Sequence, residues 1–105
     1  VFRLVGFVLI VPIVEELVFR GYLLARLAGL AVNLNRQPSL SLWSLVVTSL
    51  LFGLLHQAWL AGVVAGVAFG LLRFQTERIA NCILAHAVAN GLLLVLAILT
   101  YLVNV

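Results

Sequence analysis

Glu15 and Glu16 stand side by side in the apolar run Pro12-Ile13-Val14-Glu15-Glu16-Leu17-Val18-Phe19-Arg20-Gly21, with an arginine one helical turn after the second glutamate. The chain has only three acidic residues, so two of the three lie where the surroundings least favour charge. A charged side chain at the centre of a membrane helix costs about 2.5 to 3.5 kcal/mol on insertion scales, and such a cost marks a functional site by default. On a helix of about 3.6 residues per turn Glu16 and Arg20 share a face, while Glu15 projects about 100° away. Arg20 can therefore neutralise and fix Glu16 while Glu15 points into a cavity as a base. Phe52-x-x-x-His56 and His86-x-x-x-Asn90 repeat the one-turn spacing, and the second pair aims an imidazole and an amide at one point.

These groups must be positioned by membrane helices. The chain of 105 residues is 66% hydrophobic and 9% charged, against about 25% charged in a soluble globular domain. An integral membrane protein with a single domain over residues 1–105 is expected. The net charge of +3 is small, and Arg3, Arg20, Arg26, Arg36, Arg73 and Arg78 form no run, which argues against a nucleic-acid partner. Membrane lipid is the expected surrounding. A single cysteine, Cys82, excludes an internal disulfide and any cysteine-rich metal knuckle. Val1 in place of Met points to a longer native chain, with further helices upstream.

The expected architecture is all-α and polytopic, with about four transmembrane helices forming a bundle. Segment A runs from about Phe2 to Ala31, and Pro12 is expected to kink or divide it just before the glutamates. Asn33 to Ser41 is a polar connection. Segment B runs from about Leu40 to His56 with Trp43 as an interfacial aromatic, and segment C from about Leu60 to Phe74. Gly62, Gly66 and Gly70 give segment C a stripe of small residues that lets helix backbones approach closely in lipid. Segment D follows the polar run Arg73 to Asn81 and reaches about Val103. Arg26, Arg36, Arg73 and Arg78 fall at one face under this alternation, which the positive-inside rule places in the cytoplasm. Arg73, Glu77 and Arg78 read as a solvated membrane edge.

Depth tests whether the polar groups can meet. At about 1.5 Å per residue, Glu15 and Glu16 lie about 22 to 24 Å from that face, His56 about 24 Å and His86 about 13 Å. Tilt, long side chains and a protruding connection must absorb the gap of roughly 10 Å at His86.

The ordered set Glu15-Glu16-x-x-x-Arg20, Phe52-x-x-x-His56 and His86-x-x-x-Asn90, each within an apolar helix, resembles the CPBP family. This family comprises the type II CAAX prenyl endopeptidases, bacterial bacteriocin-processing or self-immunity proteases, and lysostaphin-resistance-like proteins. The resemblance runs from Pro12 to Asn90. It implies an intramembrane endopeptidase acting on a membrane-associated or lipidated protein or peptide, in the plasma membrane of a prokaryote. By carry-over Glu15 is the general base, His56 holds the water, and His86 and Asn90 stabilise the oxyanion. Glu16 and Arg20 are the supporting pair, with Phe52 beside them. Peptide hydrolysis needs such a base and preorganised donors where negative charge develops, and the resemblance is compatible both with a glutamate-activated water and with a water on zinc held by Glu15, His56 and His86.

Blander readings stand beside each motif. Glu16 with Arg20 could be a structural ion pair, but a second glutamate is left over after pairing. His86 with Asn90 could be an interhelical hydrogen-bond pair. A Cys82–His86 dyad would leave Glu15, Glu16 and His56 without a task, so Cys82 reads as a packing residue. The rival functions are a transporter or channel fragment that relays protons or ions through Glu15, His56 and His86, and a catalytically idle immunity-type member. No internal repeat supports the first, and the intact set of polar residues counts against the second.

Overall fold

The structure, a computed structural model, describes residues 2–104. They are helical and carry no strand among the described residues. A continuous helical run takes up segment A as far as Leu27, short of the expected Ala31, with α1 (Phe2–Val5), a π-helical stretch π1 (Gly6–Ile10), α2 (Val11–Glu16), a second π-helical stretch π2 (Leu17–Leu23) and α3 (Leu24–Leu27) in succession. Every junction keeps right-handed helical dihedrals. Pro12 therefore does not divide the segment. The missing N–H falls at the start of α2, and the register slip of π1 just before it absorbs the proline ring.

The run ends at Gly29, whose φ of 75° is accessible to glycine at little cost. Gly29 N bonds the Arg26 carbonyl at 3.1 Å and Leu30 N the Ala25 carbonyl at 2.9 Å, a Schellman ending. The connection then leads to α4 (Leu42–Leu54), whose first turn is capped where the Ser41 hydroxyl accepts from Ser44 N. A short turn separates α4 from α5 (Trp59–Phe74), and α6 (Ile79–Asn104) completes the chain.

The α4–α5 hairpin is the most extensive helix pairing, and the glycine stripe explains it. A Cβ on Gly66 would sit 2.9 Å from Ser49 Cα and 3.2 Å from its carbonyl oxygen, so the two backbones touch where no side chain fits. Leu24, Leu45 and Phe74 form the buried apolar cluster that joins the end of the first run to this hairpin. The Ser44 hydroxyl adds a hydrogen bond to the Leu24 carbonyl. Outside, the surface is apolar, with Leu50, Leu54, Leu60, Val64, Leu92 and Leu96 all exposed.

By length and composition one helix among the described residues is long and apolar enough to cross a membrane: α6, with 26 residues and an 18-residue stretch of mean hydropathy 2.4. With 13 and 16 residues, α4 and α5 span about 20 and 24 Å, less than the roughly 30 Å of a hydrocarbon core.

Candidate active site

Three parts of the bundle meet around Phe52. The face of the first helical run that carries Glu16, Phe19 and Arg20 is buried against α4 and α5. Phe52 is packed edge-on to Phe19 at 5.2 Å, tilted against His56 at 4.5 Å, and edge-on to His86 at 5.8 Å. The Arg20 guanidinium carbon lies 4.4 Å from the centre of the same ring, within range for an attractive cation–π contact. Phe52 thus fixes both imidazoles and the arginine at once.

Glu16 is fully buried and multiply held. Its Oε2 accepts from Arg20 Nη1 at 2.8 Å and from His86 Nδ1 at 2.8 Å. Arg20 Nη2 donates to the Gly66 carbonyl at 3.0 Å, so the close glycine contact between α4 and α5 also brings a carbonyl to the arginine. The i, i+4 pairing expected from the sequence is present, and it reaches two further helices.

Glu15 faces the other way and keeps 20% of its side chain exposed. Its Oε2 lies 3.6 Å from His56 Nε2 and its Oε1 lies 3.7 Å from His86 Nε2. Both separations exceed a hydrogen bond, and at such distances a single water can touch both partners. The ring hydrogens follow from the neighbours. His56 Nδ1 is 2.6 Å from the Phe52 carbonyl, which can only accept, so this nitrogen is the donor. His86 Nδ1 donates to the Glu16 carboxylate in the same way. Both Nε2 atoms are left facing Glu15.

His86 reaches the glutamates despite its shallower place on α6. The first helical run ends at Leu27, short of the expected Ala31, and π2 rises less per residue than α winding, so the glutamates sit nearer the loop end than a uniform α-helix to Ala31 would put them.

Asn90 is not drawn into the cluster. Its Nδ2 donates to the Phe7 carbonyl at 3.0 Å. That carbonyl is without a helical partner for a traceable reason. Val11 N–H bonds back to Gly6, and the next donor in the same π register would be residue 12, a proline without an N–H. Asn90 caps a carbonyl that Pro12 leaves open.

Several contributors were not singled out by sequence reasoning. Phe69 stacks on His86 with ring centres 4.7 Å apart and planes at 22°. It lies three residues after Gly66, on the face the glycine stripe already marked. Arg73 is not part of a solvated edge: it is 2% exposed, and its guanidinium donates to the carbonyls of Asn33, Arg36, Thr76 and Glu77. Tertiary burial overrides its position at a helix end. Cys82 is buried near the Phe69 carbonyl, as a packing residue should be.

The two imidazole nitrogens approach different oxygens of Glu15, and among the described residues no group of three or more His, Cys, Asp and Glu forms a ready-made metal site.

No curated protein and no solved structure matches the chain. Residues 1–92 match a family model described as type II CAAX prenyl endopeptidase Rce1-like. That match covers all of the polar cluster, and the chain belongs to this family of membrane-embedded proteases.

Proposed function

We propose that this chain is the catalytic core of an intramembrane endopeptidase that cleaves a membrane-associated or CAAX-like lipidated protein or peptide by means of a glutamate-activated water. The observation that carries the reading is the arrangement of one partly exposed carboxylate with an imidazole Nε2 beside each of its oxygens, at 3.6 and 3.7 Å. Glu15 takes a proton from a water that also donates to His56 Nε2. The remaining hydroxide adds to the scissile carbonyl carbon. The oxyanion develops beside His86, whose ring Glu16 holds through Nδ1. Collapse of the tetrahedral species breaks the C–N bond, and Glu15 returns its proton to the leaving amine. Glu16, held by Arg20, keeps His86 Nδ1 in place, much as a buried carboxylate orients the histidine of a serine protease.

The same reading places the chain in the membrane as a four-helix core, in the plasma membrane of a prokaryote. Local thinning of the bilayer accommodates the short α4 and α5. Arg26, Arg36, Arg73 and Arg78 mark the cytoplasmic end.

The test uses the full-length protein in liposomes with a prenylated C-terminal peptide, reading release of the C-terminal fragment. Glu15→Gln should lower kcat by about 10²- to 10⁴-fold, the scale of a general base. EDTA or o-phenanthroline should leave the parent rate unchanged. A rate abolished by chelator and restored by zinc would overturn the glutamate-activated mechanism.

A further inference from the structure

We propose that a cavity at the loop end of the bundle binds a phosphate-bearing anion, supplied by the headgroup of an anionic phospholipid. The cavity holds about 370 Å³ and is lined by Arg20, Arg36 and Arg73 together with the polar side chains of Asn33, Gln37 and Ser39. No carboxylate lines it.

The charge balance carries the argument. Arg73 is buried and engages four backbone carbonyls, while among the described residues no carboxylate lies within ion-pair reach of it or of Arg36. Carbonyl dipoles orient a guanidinium without cancelling its charge, and buried charges in proteins are as a rule paired. The missing counter-charge is an anion. Guanidinium groups suit phosphate oxygens because their planar forks donate in pairs. Arg36 is exposed at the rim, and among the described residues its guanidinium makes no hydrogen bond, so it can close on a ligand.

Position favours a lipid over a substrate. The cavity lies where α3 ends, α4 begins, α5 ends and α6 begins, with the exposed Arg26 and Arg78 at the same end. Arginines gathered beside a membrane surface attract anionic headgroups. Along the first helical run the buried Arg20 and Glu16 come between the cavity and Glu15.

The experiment follows thermal unfolding of the purified full-length protein in mixed micelles at constant ionic strength. Phosphatidylglycerol is titrated against phosphatidylcholine in one arm, and inorganic phosphate against chloride in the other. Phosphatidylglycerol should raise Tm saturably, and Arg36→Gln should weaken its apparent affinity about tenfold, the loss of one charge-assisted contact. Phosphate should act through the same residue at higher concentration. Arg36 touches neither the glutamates nor the histidines, so the variant should keep the parent's Tm in phosphatidylcholine and its peptidase rate. A Tm unmoved by either probe, or moved equally in parent and Arg36→Gln, would overturn the site. Saturation by phosphate with no response to phosphatidylglycerol would overturn the lipid as its source.

Discussion

Glu16 and Glu15 are consecutive residues in opposite surroundings. Glu16 has no exposed surface, an arginine and a histidine on one oxygen, and an aromatic wall formed by Phe52 and Phe69 around those partners. Glu15 is 20% exposed and has no hydrogen-bond partner among the described residues, only the two Nε2 atoms just beyond bonding distance, one of them on a histidine that is itself 35% exposed. The helix makes this division. Adjacent residues point about 100° apart, so one glutamate can be sealed between helices while its neighbour opens toward water. The closed half spends its interactions on geometry, and the open half leaves its lone pairs without a protein donor. His86 joins them, with one nitrogen in each half.

The sharpest test of this division compares Glu15→Gln with Glu16→Gln. The first should remove activity by about 10²- to 10⁴-fold and leave Tm within about a degree of the parent, because nothing buried depends on Glu15. The second should lower both activity and Tm. Equal destabilisation by the two would erase the distinction between halves. Next in size, Arg20→Ala leaves the Glu16 carboxylate buried without its cation, which typically costs about 3 to 5 kcal/mol. Unfolding in mixed micelles would measure it. A change below about 1 kcal/mol would mean that His86 alone suffices to hold Glu16.

The glycine contact supplies a smaller effect on the closed half. In Gly66→Ala the new methyl meets the Ser49 backbone at 2.9 Å, and backbone cannot swing aside as a side chain can. Overpacking of this kind costs about 1 to 3 kcal/mol, and here it also moves the carbonyl that receives Arg20 Nη2. Gly6→Ala is the control, since a Cβ there meets nothing within 4 Å. If both glycines tolerate alanine equally, close approach of α4 and α5 does not set the position of Arg20.

What could be read from the chain follows from the range of each interaction. The Glu16–Arg20 pair, the glycine stripe and the shared face of His86 and Asn90 are one-turn relations, fixed by helix geometry before any packing. The depth gap at His86 rested on a uniform α-helix out to Ala31, whereas the run ends at Leu27 and winds as a π-helix through Leu17–Leu23. Nothing in the local pattern announces that winding. Arg73 differs from a solvated edge for another reason: two of its four carbonyl partners, Asn33 and Arg36, come from the distant connection before α4. Burial by such a set is a tertiary property with no periodic signature. The target of Asn90 lay between these cases, because Pro12 is visible as a missing donor but the carbonyl it orphans depends on the register of π1.

That last contact yields the smallest prediction and the most specific one. If Asn90 is held on Phe7 because Pro12 lacks an N–H, then restoring a donor at position 12 should make the asparagine partly redundant for stability. Asn90→Ala should cost about 1 kcal/mol in the parent, the usual worth of a hydrogen bond. In a Pro12→Ala background residue 12 can donate to the Phe7 carbonyl itself, and the same substitution should cost close to nothing. A double-mutant cycle in mixed micelles therefore returns a coupling of about 1 kcal/mol between residues far apart in the chain. Equal costs in both backgrounds would disconnect the proline from the asparagine.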